Sequence, residues 1–287
     1  MQYRQIQPPD YLANYVRYFW TLDSEDPEVA AYTFRTIADG GPGLLFQHPD
    51  KGIYYQNGKL LPGLFLYGQS STHASLRLMG CFRTVGVLFY PHALRSVFGM
   101  DAGELTDLCL DLDDMGRQYG FCMMEQLGNS LSAAEQVQYL SEFLFFLVRR
   151  HSARADQAME AALRQVMRQQ GNVSMKDLQQ LLCLSERSVE RRFKQYVGLS
   201  PKLFARICRF QASLNQLRSS DFSKLSDIVY ENDYADQSHL IRSFKEFAGV
   251  VPHNFYKKTS FLDGTLNELS TRDPLVGFVL FYGLQPF

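Results

Sequence analysis

The chain repeats part of itself. Laid over one another at a constant offset of 51 residues, Ser188–Phe204 and His239–Phe255 align Arg191 with Arg242, Phe193 with Phe244 and Lys194 with Lys245. Gly198 falls on Gly249, Pro201 on Pro252 and Phe204 on Phe255. Two like segments must build two like units, which limits the fold more than any composition figure. Apolar residues in each copy recur at three- and four-residue steps and stop at a glycine suited to a left-handed helix end. Each copy is therefore expected to form two short helices and a turn. In the first, residues 173–182 form a helix, Cys183-Leu184 turns, and Ser185 caps a second helix from Glu186 to Val197. Pro201 then opens another helix, where its missing N–H costs nothing. In the second copy, residues 224–231 form the first helix, Asn232-Asp233 turns, and Asp236 caps a helix running to about Ala248.

Burying Val189, Phe193 and Val197 leaves Arg187, Ser188, Glu190, Arg191 and Lys194 facing outward. The equivalent helix presents Gln237, Ser238, His239, Ile241, Arg242 and Lys245. A major groove can use each of these chemistries. Arg bonds guanine bidentately, Gln pairs with adenine, Glu accepts from cytosine, and Ile touches the thymine methyl. A merely solvated helical surface would also be basic, but it does not place the same Arg and Lys at matching positions in both copies. Between the copies, Pro201–Leu217 reads as one helix with Phe204, Ile207, Phe210, Leu214 and Leu217 on one side. Its span of roughly 25 Å suits two reading helices held about one DNA turn apart.

Charge follows the same division. Of the 287 residues, 1–150 hold 11 Lys+Arg against 16 Asp+Glu, whereas 154–258 hold 17 against 11. The formal charge of −1 is thus an average over an acidic part and a basic part, a pattern that points to a nucleic-acid partner for the basic one. With 46% hydrophobic residues the chain can bury sizeable cores, which excludes disorder as a description of the whole. The longest apolar run, Leu275–Leu284, is too short to span a bilayer. The start of the chain carries no signal-peptide pattern. Five scattered cysteines without CxxC suit reduced thiols, so a cytoplasmic protein is expected.

The first 115 residues place short apolar runs between turn formers: Tyr15–Leu22, Gly43–Gln47, Leu64–Tyr67 and Thr84–Tyr90. They read as strands of a small β sandwich or barrel. From Ser132 to Arg150 the period becomes helical, on Val137, Leu140, Leu144, Leu147 and Val148. This helix is expected to pack on a partner chain or on its own β domain.

The two helix-turn-helix units, joined by a long helix and each carrying Arg-x-Phe-Lys…Gly-x-x-Pro, resemble the DNA-binding domain of AraC/XylS-type transcription regulators over about residues 156–258. The resemblance implies base reading by Arg187, Glu190 and Arg191 in the first motif. In the second it implies Gln237, Ser238, His239 and Arg242. This sequence departs from the pattern at Gln179, where a small Ala is usual, and at Cys183 and Asp233, where a turn Gly is usual. Tyr18-Phe19-Trp20, Asp39-Gly40, Leu61-Pro62, Gly68-Gln69 and Val85–Phe89 resemble the cupin-like sensor domain of one AraC-type subgroup, although Gly41-Pro42-Gly43 stands where an acidic residue usually follows. The expected fold is therefore α+β, a cupin-like N-terminal β-barrel followed by an all-α double helix-turn-helix domain. Residues 1–117 would be the sensor, 118–153 a helical linker or dimerisation segment, 154–258 the reader and 259–287 a tail.

No cofactor, metal site or enzymatic activity is expected. His48, His73 and His92 stand singly, without HxH or HxxxH spacing. Gly40-Gly41-Pro42-Gly43 lacks the spacing and the Lys of a phosphate loop. Phe34, Phe46, Phe65, Tyr67, Phe82 and Phe89 would form plain core or line a small-molecule pocket, with Arg35, Gln47, Gln69 and Arg83 as the polar candidates for orienting a ligand. The expected partners are double-stranded DNA in its major groove, a small-molecule effector and a second copy of the chain, with RNA polymerase implied by the resemblance and no membrane. Two other readings remain at this stage: a cupin-type metal enzyme carrying a DNA-binding domain, and a regulator whose β domain only dimerises or binds a protein. The apolar tail Leu275–Leu284 is expected to dock on the β domain or a partner chain.

Overall fold

The computed structural model describes residues 2–24, 31–49, 52–151, 156–219, 224–255 and 279–280. The N-terminal part contains β1 (Gln2–Ile6), β2 (Val16–Ser24), β3 (Ala31–Thr36), β4 (Gly43–Gln47), β5 (Ile53–Gln56), β6 (Lys59–Leu60), β7 (Leu64–Tyr67), β8 (Ala74–Met79), β9 (Phe82–Phe89) and β10 (Cys109–Asp111). Four short or long helices, α1 (Ala93–Ser96), α2 (Asp113–Gln118), α3 (Met123–Asn129) and α4 (Ala133–His151), follow or interleave. The C-terminal part is helical: α5 (Gln157–Arg168), α6 (Met175–Leu182), α7 (Glu186–Val197), α8 (Pro201–Ser219), α9 (Leu225–Glu231) and α10 (Gln237–Ala248). The expected α+β class, sheet first and helices second, is what the chain adopts.

The expected barrel is not. The strands form two antiparallel sheets that do not close on one another, one in the order β1-β2-β9-β4-β7-β10 and one, with β11 (Val279–Leu280), in the order β11-β3-β8-β5-β6. The reason lies in the strands of the larger sheet, which are apolar on both faces. Phe19, Leu44, Phe46, Leu66, Val85, Val87 and Phe89 point into a core completed by α4. The alternate residues Tyr18, Trp20, Leu45, Phe65 and Leu88 point into a second core, closed by Tyr54, Leu76 and Leu78 of the smaller sheet. A sheet covered on each face by a different layer gains nothing by curling into a barrel. Gly86 lies beneath the Trp20 indole, where an added Cβ would meet the ring at 2.0 Å.

Helix α4 packs on its own β domain, burying Val137, Leu140, Phe143, Leu144, Leu147 and Val148. Its Phe145 is 38% exposed on the outer side, in an edge contact with Tyr11. In the tail, Val279 and Leu280 pair with Thr36 and Arg35 of β3; its remaining residues lie outside those described.

The third core belongs to the helical part. Phe193, Phe204, Ile207, Phe210, Leu214, Phe244, Phe247 and Phe255 meet there. Ile37 and Ala38, from the segment between β3 and β4, are buried in the same cluster. The N-terminal part thus supplies Ile37 and Ala38 to the core of the C-terminal one, and Tyr3 of β1 packs half-buried against it.

Candidate nucleic-acid interface

The two halves of the repeat fold alike. Helix α6 begins with a reciprocal cap: the Ser174 hydroxyl accepts from the Asp177 N–H at 3.1 Å, and the Asp177 carboxylate accepts from the Ser174 N–H at 3.0 Å. Cys183 ends it in the left-handed region, at φ 53°, and Asp233 takes the same conformation, at φ 60°, in the second turn. The two departures from a turn glycine therefore sit where glycine would be least strained. Helices α7 and α10 each run 12 residues and each ends at a left-handed glycine, Gly198 and Gly249. Asp236 caps α10 as expected, accepting from the His239 N–H at 2.7 Å. Ser185 occupies the matching position before α7 but makes no such bond; its hydroxyl donates to Ser188 Oγ at 3.1 Å instead.

Val189, Phe193 and Val197 are fully buried under α7, and Leu240, Phe244 and Phe247 under α10. The opposite faces carry exposed Arg187, Glu190 and Arg191 with half-buried Ser188, and exposed Gln237, Ser238, Arg242 and Lys245 with half-buried His239. His239 is held edge-on against the Tyr234 ring, with centroids 5.1 Å apart. The Arg242 Nε donates to the Ser238 carbonyl at 3.3 Å, which lays its side chain back along α10. Lys194 is placed differently from its neighbours. Its Nζ donates to the Gly198 carbonyl at 2.7 Å, so the amine is turned to the end of α7. Two further cations, Lys176 near the start of α6 and Lys224 before α9, are exposed beside helix N-termini. Sequence reasoning did not single them out, because lysines at the start of a helix run against the macrodipole and carry no repeat signal.

Helix α8 separates the two motifs. Its 19 residues bury Phe204, Ile207, Phe210, Leu214 and Leu217 as the sequence predicts. An ion pair from Arg206 to Glu246, at 2.5 Å, ties it to α10.

The four polar residues expected to orient a ligand are not brought together. Gln47 is buried, and its amide oxygen accepts from the Thr84 hydroxyl at 2.8 Å. Arg83 pairs with Asp23 at 3.6 Å on the rim of an outer concavity of about 530 Å³, bordered also by Arg4, Ser130 and Gln136. Gln69, fully buried, donates to the Gly40 carbonyl at 3.0 Å, and Arg35 donates to the Gly249 carbonyl at 3.1 Å. The aromatic candidates are core: Phe46 and Phe89 lie on one face of the larger sheet, Phe65 and Phe82 on the other. The side chain of Phe34 lies outside those described. Among the described residues no group of three or more His, Cys, Asp or Glu side chains is placed to hold a metal ion.

Behind the reading helices the N-terminal part presents buried titratable groups. Asp39 is half-buried, and burial raises its pKa to about 6 against the opposing pull of the Gly41 N–H and of Arg17. His92 lies 4.0 Å from Glu160 of α5; burial, helped by Arg164, lowers its pKa to about 4, so the ring is neutral at pH 7.

Comparison with known proteins agrees with this geometry. Residues 178–258 match the family model described as a helix-turn-helix domain. The C-terminal part is an AraC-type helix-turn-helix domain. Residues 4–111, ahead of the AraC-type domain, match a domain of unknown function, DUF6597. An uncharacterized HTH-type transcriptional regulator of Haemophilus influenzae is 26% identical over 151 residues, 48% of this chain. The match spans 50% of that relative's length. Among solved structures, ToxT from Vibrio cholerae is similar over 83% of this chain and 98% of its own, with TM-score 0.46 and 13% identity. The AraC-like transcriptional activator CuxR is similar over 69% and 82%, with TM-score 0.26 and 16% identity. No described helix is long and apolar enough to cross a membrane.

Proposed function

We propose that the chain is a sequence-specific DNA-binding transcription regulator whose helices α7 and α10 enter successive major-groove segments of one duplex. The observation that carries this reading is the repeat in three dimensions: Arg191 and Arg242, 51 residues apart, stand exposed on equivalent helices of the AraC-type domain whose opposite faces are buried. Base contacts would come from Arg187, Ser188, Glu190 and Arg191 on one helix and from Gln237, Ser238, His239 and Arg242 on the other. Lys245, Lys176 and Lys224 suit phosphate contacts, and Lys194 joins them only on release from Gly198. The segment 1–117 would act as the sensor, 118–153 as its helical support, 154–258 as the reader and 259–287 as the tail. A small-molecule effector acts on such an arrangement only by binding one placement of the two parts better than another. Assembly as a homodimer, contact with RNA polymerase and a cytoplasmic location complete the reading.

The test is a binding-site selection followed by base-by-base competition. Arg191→Ala and Arg242→Ala should each relax preference at one half of the selected site, at a cost of roughly 1–3 kcal/mol. Equal weakening on every sequence would reduce both arginines to phosphate contacts and remove the base-reading role.

A further inference from the structure

We infer that the N-terminal domain fixes the spacing at which the two reading helices meet DNA, by gripping both at the same structural position. Gly198 and Gly249 are equivalent in the repeat, and the N-terminal domain bonds the backbone of each. At the end of α7 the Thr106 hydroxyl donates to the Gly198 carbonyl at 2.8 Å. A Cβ on Gly198 would lie 2.4 Å from that hydroxyl oxygen and 2.7 Å from the Ala102 carbonyl. At the end of α10, Arg35 Nη1 donates to the Gly249 carbonyl at 3.1 Å, and a Cβ on Gly249 would meet the His73 ring at 2.6 Å. The preceding carbonyls are taken as well: Glu246 by the Thr72 hydroxyl at 2.6 Å, Phe247 by the Ala38 N–H at 3.1 Å.

The last carbonyls of a helix have no partner inside it. Here donors from another domain reach them. The Gly198 carbonyl takes the Thr106 hydroxyl beside Lys194 Nζ of α7 itself. Those of Glu246, Phe247 and Gly249 take Thr72, Ala38 and Arg35, so each reading helix is fastened at its C-terminal end. The base-facing residues from Arg187 to Arg191 and from Gln237 to Arg242 are left clear of these contacts. The helix between them is held by the same body: Gln211 of α8 donates to the Ala38 carbonyl at 2.5 Å, and a Cβ on Gly40 would lie 3.7 Å from the Phe204 and Ile207 side chains. Three elements of the reader, α7, α8 and α10, are thus referenced to one sheet domain. A lone helix such as α8 fixes separation only to within its own bending. Two end clamps on a common body fix orientation too. Thr106, Arg35 and Thr72 are therefore positioning residues for site recognition, although none faces DNA.

This inference rests on the DNA-binding reading, and the experiment separates the two. After selection of a two-part site with the full chain, duplexes carrying the two parts at altered separations are titrated with wild-type and variant protein. Wild type should prefer its optimum over a one-base-pair change by about tenfold or more, as half-site geometry demands. Thr106→Val combined with Arg35→Met should flatten that preference to about threefold or less while leaving affinity for a duplex with a single part unchanged. Thr106→Ser, which keeps the hydroxyl, should keep the sharp profile. Thr72→Val, at an exposed position, gives an independent and mild release of α10 should the double variant fold poorly. A profile equally sharp in all variants overturns the clamp and assigns spacing to α8 alone. Absence of any sequence-selected duplex for wild type overturns the DNA-binding reading itself.

Discussion

Asp39 is held in a form that its position disfavours. The residue is half-buried just after Ile37 and Ala38, which enter the reader's core, and burial raises its pKa to about 6 from 3.8. The unfolded chain ionises this group near pH 4, whereas the folded chain resists ionisation until about pH 6. Its contribution therefore favours the folded state at low pH, is lost as pH rises between those values, and stays lost above them. Asp39→Asn keeps an acceptor for the Gly41 N–H, now 3.2 Å from Asp39 Oδ1, and removes the charge. The variant should be more stable at pH 7.5 by at most about 3 kcal/mol, the equivalent of a two-unit shift. The gain should fall to about a third of that at pH 4.5 and vanish only below the unfolded value, as read from thermal unfolding across that range. A gain of the same size at both pH values would place the effect elsewhere than in ionisation.

At the scale of elements, the helix starts distinguish what residue type suggests from what geometry does. Ser174, Ser185 and Asp236 are all favourable N-cap residues. Only Ser174 and Asp236 accept from the first turn, at 3.1 Å and 2.7 Å; Ser185 does not. Ser174→Ala and Asp236→Ala should each cost about 1 kcal/mol, and Ser185→Ala should stay within about 0.5 kcal/mol. Denaturant titration of the three variants ranks them, and equal costs would show that Ser185 caps in solution. The same contrast explains how far the elements could be read in advance. The four strand runs anticipated from apolar residues correspond to β2, β4, β7 and β9, neighbours in the larger sheet and apolar on both faces. Strands such as β5 and β8, with residues like Arg77 and Gln56 at exposed or half-exposed positions, break their apolar runs and escaped notice. The reading faces of α7 and α10 were legible because a repeat writes them twice. The clamps at Gly198 and Gly249 were not, because their acceptors are backbone carbonyls, and a backbone atom leaves no mark in the residue alphabet. Arg35 was singled out as a ligand contact because a basic residue in a β domain suggests one; its guanidinium also reaches a helix end 214 residues away, a partner no residue pattern announces.

Over the whole molecule, the basic reader and the acidic β domain are opposite in charge but share a core. Ile37 and Ala38 are buried among Phe204, Ile207 and Phe247, so neither part completes its apolar packing alone. This alters what a dissection would measure: the segment 154–258 without its β domain would expose part of that core as well as shed acidic neighbours. Coupling is better read in the intact chain, which carries a natural pair of probes. Its one tryptophan, Trp20, lies in β2 within the β domain, while α5 to α10 of the reader hold most of the described helical residues. Trp20 fluorescence and far-ultraviolet circular dichroism should therefore report one coincident unfolding transition in the wild type. Ile37→Ala removes three carbon atoms from a site 3% exposed and should cost about 2–4 kcal/mol. Since those atoms belong to the reader's core, the helical signal should now melt ahead of the Trp20 signal. Transitions already separate in the wild type would mean that the two parts fold independently, and that Ile37 merely rests on the surface of a complete reader. Coincident transitions shifted together in the variant would instead show coupling stronger than the deleted side chain can break.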